Sequence, residues 1–281
     1  MTEEANKRER RGSRIIGKVL PPAAQLWLRS QVEQVEQLAI NLDGSDRQIL
    51  SGYLPGVTVS AKKALYKGIA IQCVDLSATD IRINIGQVVR GKPLRLLKKF
   101  PVQGDAEISA ADLDASLDSP LLMAGLNDFW RSLIEIPAFA QSVQSIYGQL
   151  PVHPDVIVQN PQLRLGEACL GLSFYPAIAS SRDTAASVAK TAERPIILGT
   201  GLTVVDRHYL QLNSPCWLTS LDDMSTFFND NDDNADTEPI PHQPMAALEG
   251  FRWNLGKETQ LTQLSLQPDQ IRFCGQVMVI P

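Results

Sequence analysis

The sequence predicts an α+β fold in which a long, curved, mainly antiparallel β-sheet wraps against amphipathic helices. Two observations predict this class. Apolar and polar residues alternate in several runs between Gly56 and Ile108, which is typical of half-buried antiparallel strands. From Ser109 onward the apolar period becomes helical, which indicates that the strands lead into amphipathic helices.

The strand-like runs place large aliphatic side chains on one face. One run carries Ile81, Ile83 and Ile85 at alternating positions, and residues 102–108 form a second run that includes Ala106. Successive side chains of a strand point to opposite faces of its sheet. We therefore expect these four residues to point toward the interior.

A helix over residues 109–122 follows the second run. Ser109 has the side chain of a helix N-cap, because its hydroxyl can accept a hydrogen bond from a free backbone N–H of the first turn. Leu113, Leu117 and Leu121 then follow at i, i+4 spacing and give one apolar stripe. A further stripe predicts a helix over 122–135.

Other segments predict the remaining elements. An apolar stripe from Leu28 to Leu38 predicts a helix that begins near Pro22, where a first-turn proline needs no N–H partner. Residues 47–52 favour a short strand. The second half of the chain is again rich in strand-like runs, and Gln267–Gln270 supplies a turn between the last two.

The domain organisation is predicted to be simple. Residues 1–20 are charged and favour a disordered basic tail, and residues 21–281 favour a single domain. Variable loops are expected at 176–194, which is rich in alanine and serine, and at 222–244, which is acidic and ends in prolines.

Composition excludes several classes of partner. The net charge is −5 and only 6% of residues are aromatic, so neither a general basic footprint nor base-stacking platforms for nucleic acid are expected. No window approaches the length of a transmembrane helix, and residues 15–20 are too short for the apolar core of an export signal. We therefore expect a protein on the cytoplasmic side.

No catalytic or metal-binding set stands out, so the sequence predicts neither an enzyme nor a cofactor. Asp206 and His208 are two residues apart, which predicts one strand face, yet no nucleophile motif accompanies them. The acidic run from Asp230 to Asp236 lacks the glycine and the closing glutamate of a calcium loop. Four widely spaced cysteines are typical of buried thiols.

Two basic concentrations are candidate membrane contacts. The tail carries Lys7 and Arg8 and the four predicted contact residues Arg10, Arg11, Arg14 and Lys18, next to a short apolar patch. The second concentration contains the predicted headgroup contacts Arg95, Lys98 and Lys99. Cations beside apolar residues suit an anionic membrane surface. A solubilising tail and lysines that protect strand edges are the alternatives.

The order of these motifs resembles one known family. The strand run from Gly56 to Ile81 is followed by the basic segment 92–100, by the helix start of residues 106–113, and by Leu117 to Leu122 with its Ser-Pro-Leu-Leu sequence. In this order the chain resembles the LmeA-like phospholipid-binding family over most of its length. The resemblance implies an elongated β-rich domain that holds lipid, similar to tubular lipid-binding folds.

We therefore expect non-enzymatic binding of a phospholipid or another membrane lipid at the cytoplasmic face of a membrane. The acyl chains would lie in an apolar groove between the sheet and the helix at 109–122 or 122–135. The predicted groove residues are Ile81, Ile83, Ile85, Ala106, Leu113, Leu117 and Leu121. The same residues would also form an ordinary core. The alternative is a structural or assembly factor that binds a membrane protein without lipid.

Overall fold

The computed structural model describes residues 22–147, 156–178, 192–224 and 243–281. The chain divides into two compact units. The first holds the chain up to Glu107 together with Lys257–Thr262 and Phe273–Pro281. The second holds Ile108–Gly256 and Gln263–Arg272. The single-domain organisation stays a prediction.

The described helices alternate with groups of strands along the chain. The helices are α1 (22–29), α2 (Asp46–Leu50), α3 (Ile85–Val88), α4 (Ala110–Ser116), α5 (Pro120–Ile134) and α6 (Pro137–Tyr147). The strands of the first half are β1 (Gln34–Asp43), β2 (Tyr53–Tyr66), β3 (Ile69–Arg82) and β4 (Phe100–Ser109). Those of the second half are β5 (Val156–Gly166), β6 (Cys169–Ile178), β7 (Ile196–Val205), β8 (Tyr209–Trp217), β9 (Gln243–Pro244), β10 (Arg252–Asn254), β11 (Thr259–Gln267) and β12 (Gln270–Val279).

The strands form two antiparallel sheets. The first sheet has the order β1-β2-β3-β4-β12-β11, and the second has the order β10-β8-β7-β6-β5, with β9 paired to β8. One of the sheets is strongly curled into a half-barrel. The predicted α+β class with a curved, mainly antiparallel sheet is confirmed, and so is the turn at Gln267–Gln270, which joins β11 to β12.

Each unit has its own hydrophobic core. In the first unit Ile49, Leu54, Val88, Leu94 and Phe100 are buried together with the three isoleucines of residues 81–85. In the second unit α5 and α6 pack their apolar stripes on β5–β8 through an aromatic cluster. Its members Phe139 and Trp217 stack with their ring centroids 5.6 Å apart, and Trp130 contacts Phe174 edge-on at 5.0 Å.

Two predicted elements have the wrong type. The helix expected from Pro22 to Leu38 ends at residue 29, and Leu38 lies in strand β1. Leu38, Ile40 and Leu42 occupy alternate positions, separated by the small Ala39 and the polar Asn41, so a period of two fits this segment better than the helical stripe does. The strand expected over 47–52 is largely helix α2, which Ser45 begins through a capping box with Gln48.

The helix predicted over 109–122 is two helices. Ser109 caps α4 as predicted, with its Oγ accepting a hydrogen bond from the backbone N–H of Asp112 at 3.1 Å. The helix ends at Ser116, and Ser119 then caps α5, in which Pro120 occupies the first turn. A proline in the first turn needs no N–H partner but cannot continue a preceding helix, which explains the break.

Candidate functional site

One face of strands β1–β4 is a continuous apolar surface. Residues that stand directly opposite each other in antiparallel strands lie on the same face, so the pairing register defines rows of side chains across the sheet. Three successive rows are Leu42-Val57-Ala78-Val102, Ile40-Val59-Leu76-Gly104 and Leu38-Ala61-Val74-Ala106. Every one of these positions is apolar. We call this surface the apolar face.

The opposite face of the same strands is mainly polar, with Ala39 as an apolar exception. Its rows are Asn41-Thr58-Ser77-Gln103, Ala39-Ser60-Asp75-Asp105 and Gln37-Lys62-Cys73-Glu107. Within these rows the Oγ of Ser60 donates a hydrogen bond to Asp75, and the Sγ of Cys274 on strand β12 donates one to Asp105 at 3.0 Å. The sheet therefore separates an apolar side from a water-compatible side, as one-sided antiparallel sheets do.

Most large side chains on the apolar face remain only half-buried. Ile40, Leu42, Val74 and Leu76 are of this kind, whereas Val59, Ala61 and Ala106 are buried, with exposures of 9%, 8% and 6%. Monomeric soluble proteins rarely leave a broad apolar patch in contact with water, and such patches mark sites for a ligand, a partner or a membrane. The apolar face therefore has the character of a binding surface.

Gly104 shapes the middle row of this face. A Cβ atom at Gly104 would lie 2.9 Å from Cδ2 of Leu76, so the leucine extends across the position where a side chain would otherwise stand. Ala61, Ala78 and Ala106 are also short. Small residues next to long ones leave shallow depressions along the strands, where an unbranched hydrocarbon chain can make close contacts.

The hydrophobic core of the first unit, which we call the first core, covers one end of the apolar face. Leu42, Val57, Ala78 and Val102, which form one complete row, pack against its buried residues. The predicted groove residues Ile81, Ile83 and Ile85 belong to this core, with exposures of 5%, 3% and 7%. The structure thus brings these three isoleucines together, although strand β3 ends at Arg82 and Ile85 begins helix α3.

The other predicted groove residues have different surroundings. Ala106 lies on the apolar face, opposite Val74 of β3. Leu113 is buried on α4 in the second unit, Leu117 is the C-cap of that helix, and Leu121 lies in the first turn of α5 with 42% of its surface exposed. The groove itself stays a prediction.

The predicted headgroup contacts fall into two groups. Arg95, Lys98 and Lys99 are all exposed, in the segment between α3 and β4. Arg10, Arg11, Arg14 and Lys18 lie outside the described residues. Their predicted role is therefore untested.

The second unit contains a cavity of about 470 Å³ beside α4 and β5. Leu113, Leu163, Leu165 and Met224 form its apolar wall. Its charged residues are Asp114, Arg164, Glu167 and Asp222, and the Arg164 guanidinium already pairs with Asp222 at 3.1 Å. Three carboxylates around one paired arginine disfavour an anionic phosphate, so this cavity suits a phospholipid headgroup less well than the basic segment does.

The structure changes the interpretation of Asp206 and His208. Strand β7 ends at Val205 and β8 begins at Tyr209, so both residues lie in the hairpin turn, and the prediction that they share a strand face is wrong. Asp206 and Arg207 have φ angles of 51° and 59°, which tight hairpin turns require. Asp206 pairs with Arg252 at 3.7 Å, and Nδ1 of His208 lies 3.3 Å from the carbonyl oxygen of Gly256. These contacts are structural ones.

The residues that the structure describes lack two further features. Among them, no three His, Cys, Asp or Glu side chains are placed to hold a metal ion. None of the helices in this part of the chain has the length and apolar character needed to cross a bilayer.

The apolar face includes residues that sequence reasoning missed. The helical stripe predicts a helix at Leu38, and no motif of the sequence marks Ile40, Leu42, Val74 or Leu76 as site residues. The alternation of Leu38, Ile40 and Leu42 is a signal that was available. The shared rows were not, because the register between strands far apart in the sequence decides them.

Comparisons with known proteins add one finding. The sequence model of the LmeA-like phospholipid-binding family matches residues 11–276, which is nearly the whole chain. No curated protein and no solved structure gives a significant match. The match covers both compact units and agrees with the curved antiparallel architecture. The chain therefore belongs to the LmeA-like phospholipid-binding family.

Proposed function

We propose that this protein is a non-enzymatic phospholipid-binding protein that acts at the cytoplasmic face of a membrane. The observation that carries the proposal is the apolar face, which extends over three rows of four residues and keeps most of its large side chains half-buried. Lipid binding is also what the description of the family says. The acyl chains of the lipid lie along this face.

Lipid binding of this kind needs no chemical step. Each methylene group that stays away from water keeps about 0.8 kcal/mol of transfer free energy, whether it lies in a bilayer or against the apolar face. Exchange between the two environments is therefore nearly balanced. The phosphate headgroup stays at the protein surface, where exposed cations such as Arg95, Lys98 and Lys99 compensate its charge.

The direct test is lipid extraction from gently purified full-length protein, followed by mass spectrometry. We expect co-purified phospholipid in a constant ratio to protein. Protein that contains no lipid and takes up none from vesicles would contradict the proposal. That result would favour the alternative, an assembly factor that binds a membrane protein through the same face.

A small-to-large substitution distinguishes a lipid-filled surface from a packed core. Ala106→Phe adds a ring on the apolar face. If lipid occupies this face, the ring displaces acyl chain and bound lipid falls severalfold. Because Ala106 is only 6% exposed, the lipid content of the folded protein, rather than the melting temperature, is the deciding measurement. In a packed core the same change forces strain of about 1–3 kcal/mol.

Gln103→Phe is the matched control. It lies on the same strand but on the polar face, where its side chain is exposed. We expect unchanged lipid content for this variant. A destabilised Ala106→Phe protein with normal lipid content would show that this position belongs to an ordinary core and that lipid binds elsewhere.

A further inference from the structure

The segment between α3 and β4 has a charge opposite to that of the whole protein. From Ile83 to Gly104 the sequence contains five cations and no acidic residue, although the net charge of the chain is −5. The cations are Arg90, Lys92, Arg95, Lys98 and Lys99, and all five are exposed. None of them forms an ion pair with a carboxylate of the described residues. We call residues 89–99 the basic loop.

The basic loop also exposes apolar side chains. Leu97 is 62% exposed and Val89 is 48% exposed, whereas Leu94 is buried and Leu96 packs against the first core. The loop therefore holds two leucines inward and presents the third to solvent between Arg95 and Lys98. A large aliphatic side chain among lysine and arginine side chains is the pattern of an interfacial membrane contact.

Hydrogen bonds hold the basic loop in this arrangement. The buried side chain of Asn84 donates to the carbonyl oxygen of Pro93 at 3.0 Å and accepts from the backbone N–H of Arg95 at 2.7 Å. The backbone N–H of Leu97 donates to the carbonyl oxygen of Arg82 at 2.8 Å. These hydrogen bonds thus hold the backbone of Leu97 in a position that exposes its side chain. Little conformational entropy remains to be lost when the loop binds a partner.

We propose that the basic loop docks the protein on an anionic bilayer, with Leu97 inserted among the acyl chains and the five cations on lipid phosphates. Each lysine or arginine near such a surface contributes about 1 kcal/mol, and the aliphatic stems of these side chains also favour the interface. This inference rests on the proposed function, because a lipid-binding protein meets a bilayer to take up or release its ligand.

A soluble polyanion is the competing partner. Nucleic acid or an acidic protein would neutralise the five cations equally well. Neither would provide the hydrocarbon in which Leu97 could be buried. The basic loop contains no aromatic side chain on which a base could stack. The exposed leucine therefore favours the bilayer, and substitution of this residue separates the two partners.

The test is flotation of full-length protein with vesicles of phosphatidylcholine alone or of equal parts of phosphatidylcholine and phosphatidylglycerol. We expect binding only to the anionic vesicles. Lys98→Gln with Lys99→Gln removes two charges and should weaken this binding about 30-fold. Lys62→Gln with Lys257→Gln is the matched control, since both lysines are exposed outside the loop, and it should bind like the unaltered protein.

Leu97→Ser identifies the bilayer as the partner. We expect about tenfold weaker binding to the anionic vesicles, since apolar burial is lost, with unchanged binding to heparin as a soluble polyanion. Vesicle binding that is insensitive to Leu97→Ser, or a charge variant that behaves like its lysine control, would overturn the proposal.

The lipid content of the same preparations separates this inference from the proposed function. Leu97→Ser protein that carries lipid but floats poorly supports both statements. Unaltered protein that carries lipid while the loop variants float normally overturns docking by the loop and leaves lipid binding in place. Protein that floats through the loop but never carries lipid overturns the proposed function alone.

Discussion

At the scale of single residues, two buried thiols have strongly raised pKa values. Cys169 and Cys216 pack together with Leu218 and Met224 in a small cluster of the second unit. Burial raises the pKa of each thiol to about 11, and the neighbouring Glu167 adds to the effect at Cys169. The thiolate is disfavoured because it would lose hydration without gaining a partner charge.

These thiols predict a loss of stability in alkali. In the unfolded chain a thiol deprotonates near pH 9.0, so above this pH the unfolded state binds fewer protons than the folded state. The stabilisation is complete below pH 9 and is lost as the pH rises toward 11, by about 2–3 kcal/mol per thiol. Urea denaturation across this range should show the decline.

The variant Cys169→Ala with Cys216→Ala should flatten the alkaline decline, even though its stability at neutral pH is lower. Cys274→Ala is the control, and it should keep the slope because both buried thiols remain. Equal slopes in all three proteins would contradict the assignment of the decline to Cys169 and Cys216.

At the scale of elements, the junction between α4 and α5 depends on helix capping. The Oγ of Ser119 accepts a hydrogen bond from the backbone N–H of Leu122 at 3.3 Å, and the serine is only 6% exposed. Helix α5 then presents Trp130, Leu133 and Ile134 to the second core. The cap therefore fixes the start of the helix that carries much of this core.

Ser119→Ala should lower the free energy of unfolding by about 1 kcal/mol, because the first turn loses a partner for one N–H group. Ser132→Ala is the matched control within the same helix. The Oγ of Ser132 donates to the carbonyl oxygen of Asp128, which also accepts a hydrogen bond from the helix backbone, so loss of the hydroxyl leaves no polar group without a partner. Alanine also has a higher helix propensity than serine. We expect this variant to be neutral or slightly more stable in chemical denaturation. Equal losses would remove the capping argument.

At the scale of the whole molecule, charge is distributed unevenly along an acidic chain. Six cations precede residue 20, five more lie in the basic loop, and the run from Asp230 to Asp236 is acidic. Interactions between separated charges in water are weak at physiological salt, but a membrane surface sums them over many lipids. We therefore predict that the basic segments bind an anionic membrane despite the net negative charge.

Removal of residues 1–20 should weaken binding to anionic vesicles about 100-fold, since six cations are lost together with only three glutamates and each net charge near the surface contributes about 1 kcal/mol. The melting temperature should not change. High salt should weaken binding of the full-length protein and reduce the difference between the two proteins. Equal flotation of both proteins at low and high salt would exclude the tail from membrane binding.

The sequence by itself determined the local features of this protein. The alternation in β2–β4, the N-cap at Ser109, the turn at Gln267–Gln270 and the absence of acidic residues around the basic loop all follow from short stretches of residues. Each has a cause within a few positions, such as a period of two or a hydroxyl that accepts a backbone hydrogen bond. The antiparallel α+β class could therefore be predicted from these local patterns, and the family resemblance implied the curvature of the sheet.

Only the tertiary structure decided which side chains share a surface. Leu38, Val74 and Ala106 form one row because β1, β2, β3 and β4 pair in one register, and a slip of one residue would turn a whole strand over. The same dependence on distant partners buries Leu94, packs Leu96 on the core and leaves Leu97 in solvent. Burial is a property of contacts between separated segments, and three leucines within four positions carry no local signal that distinguishes them.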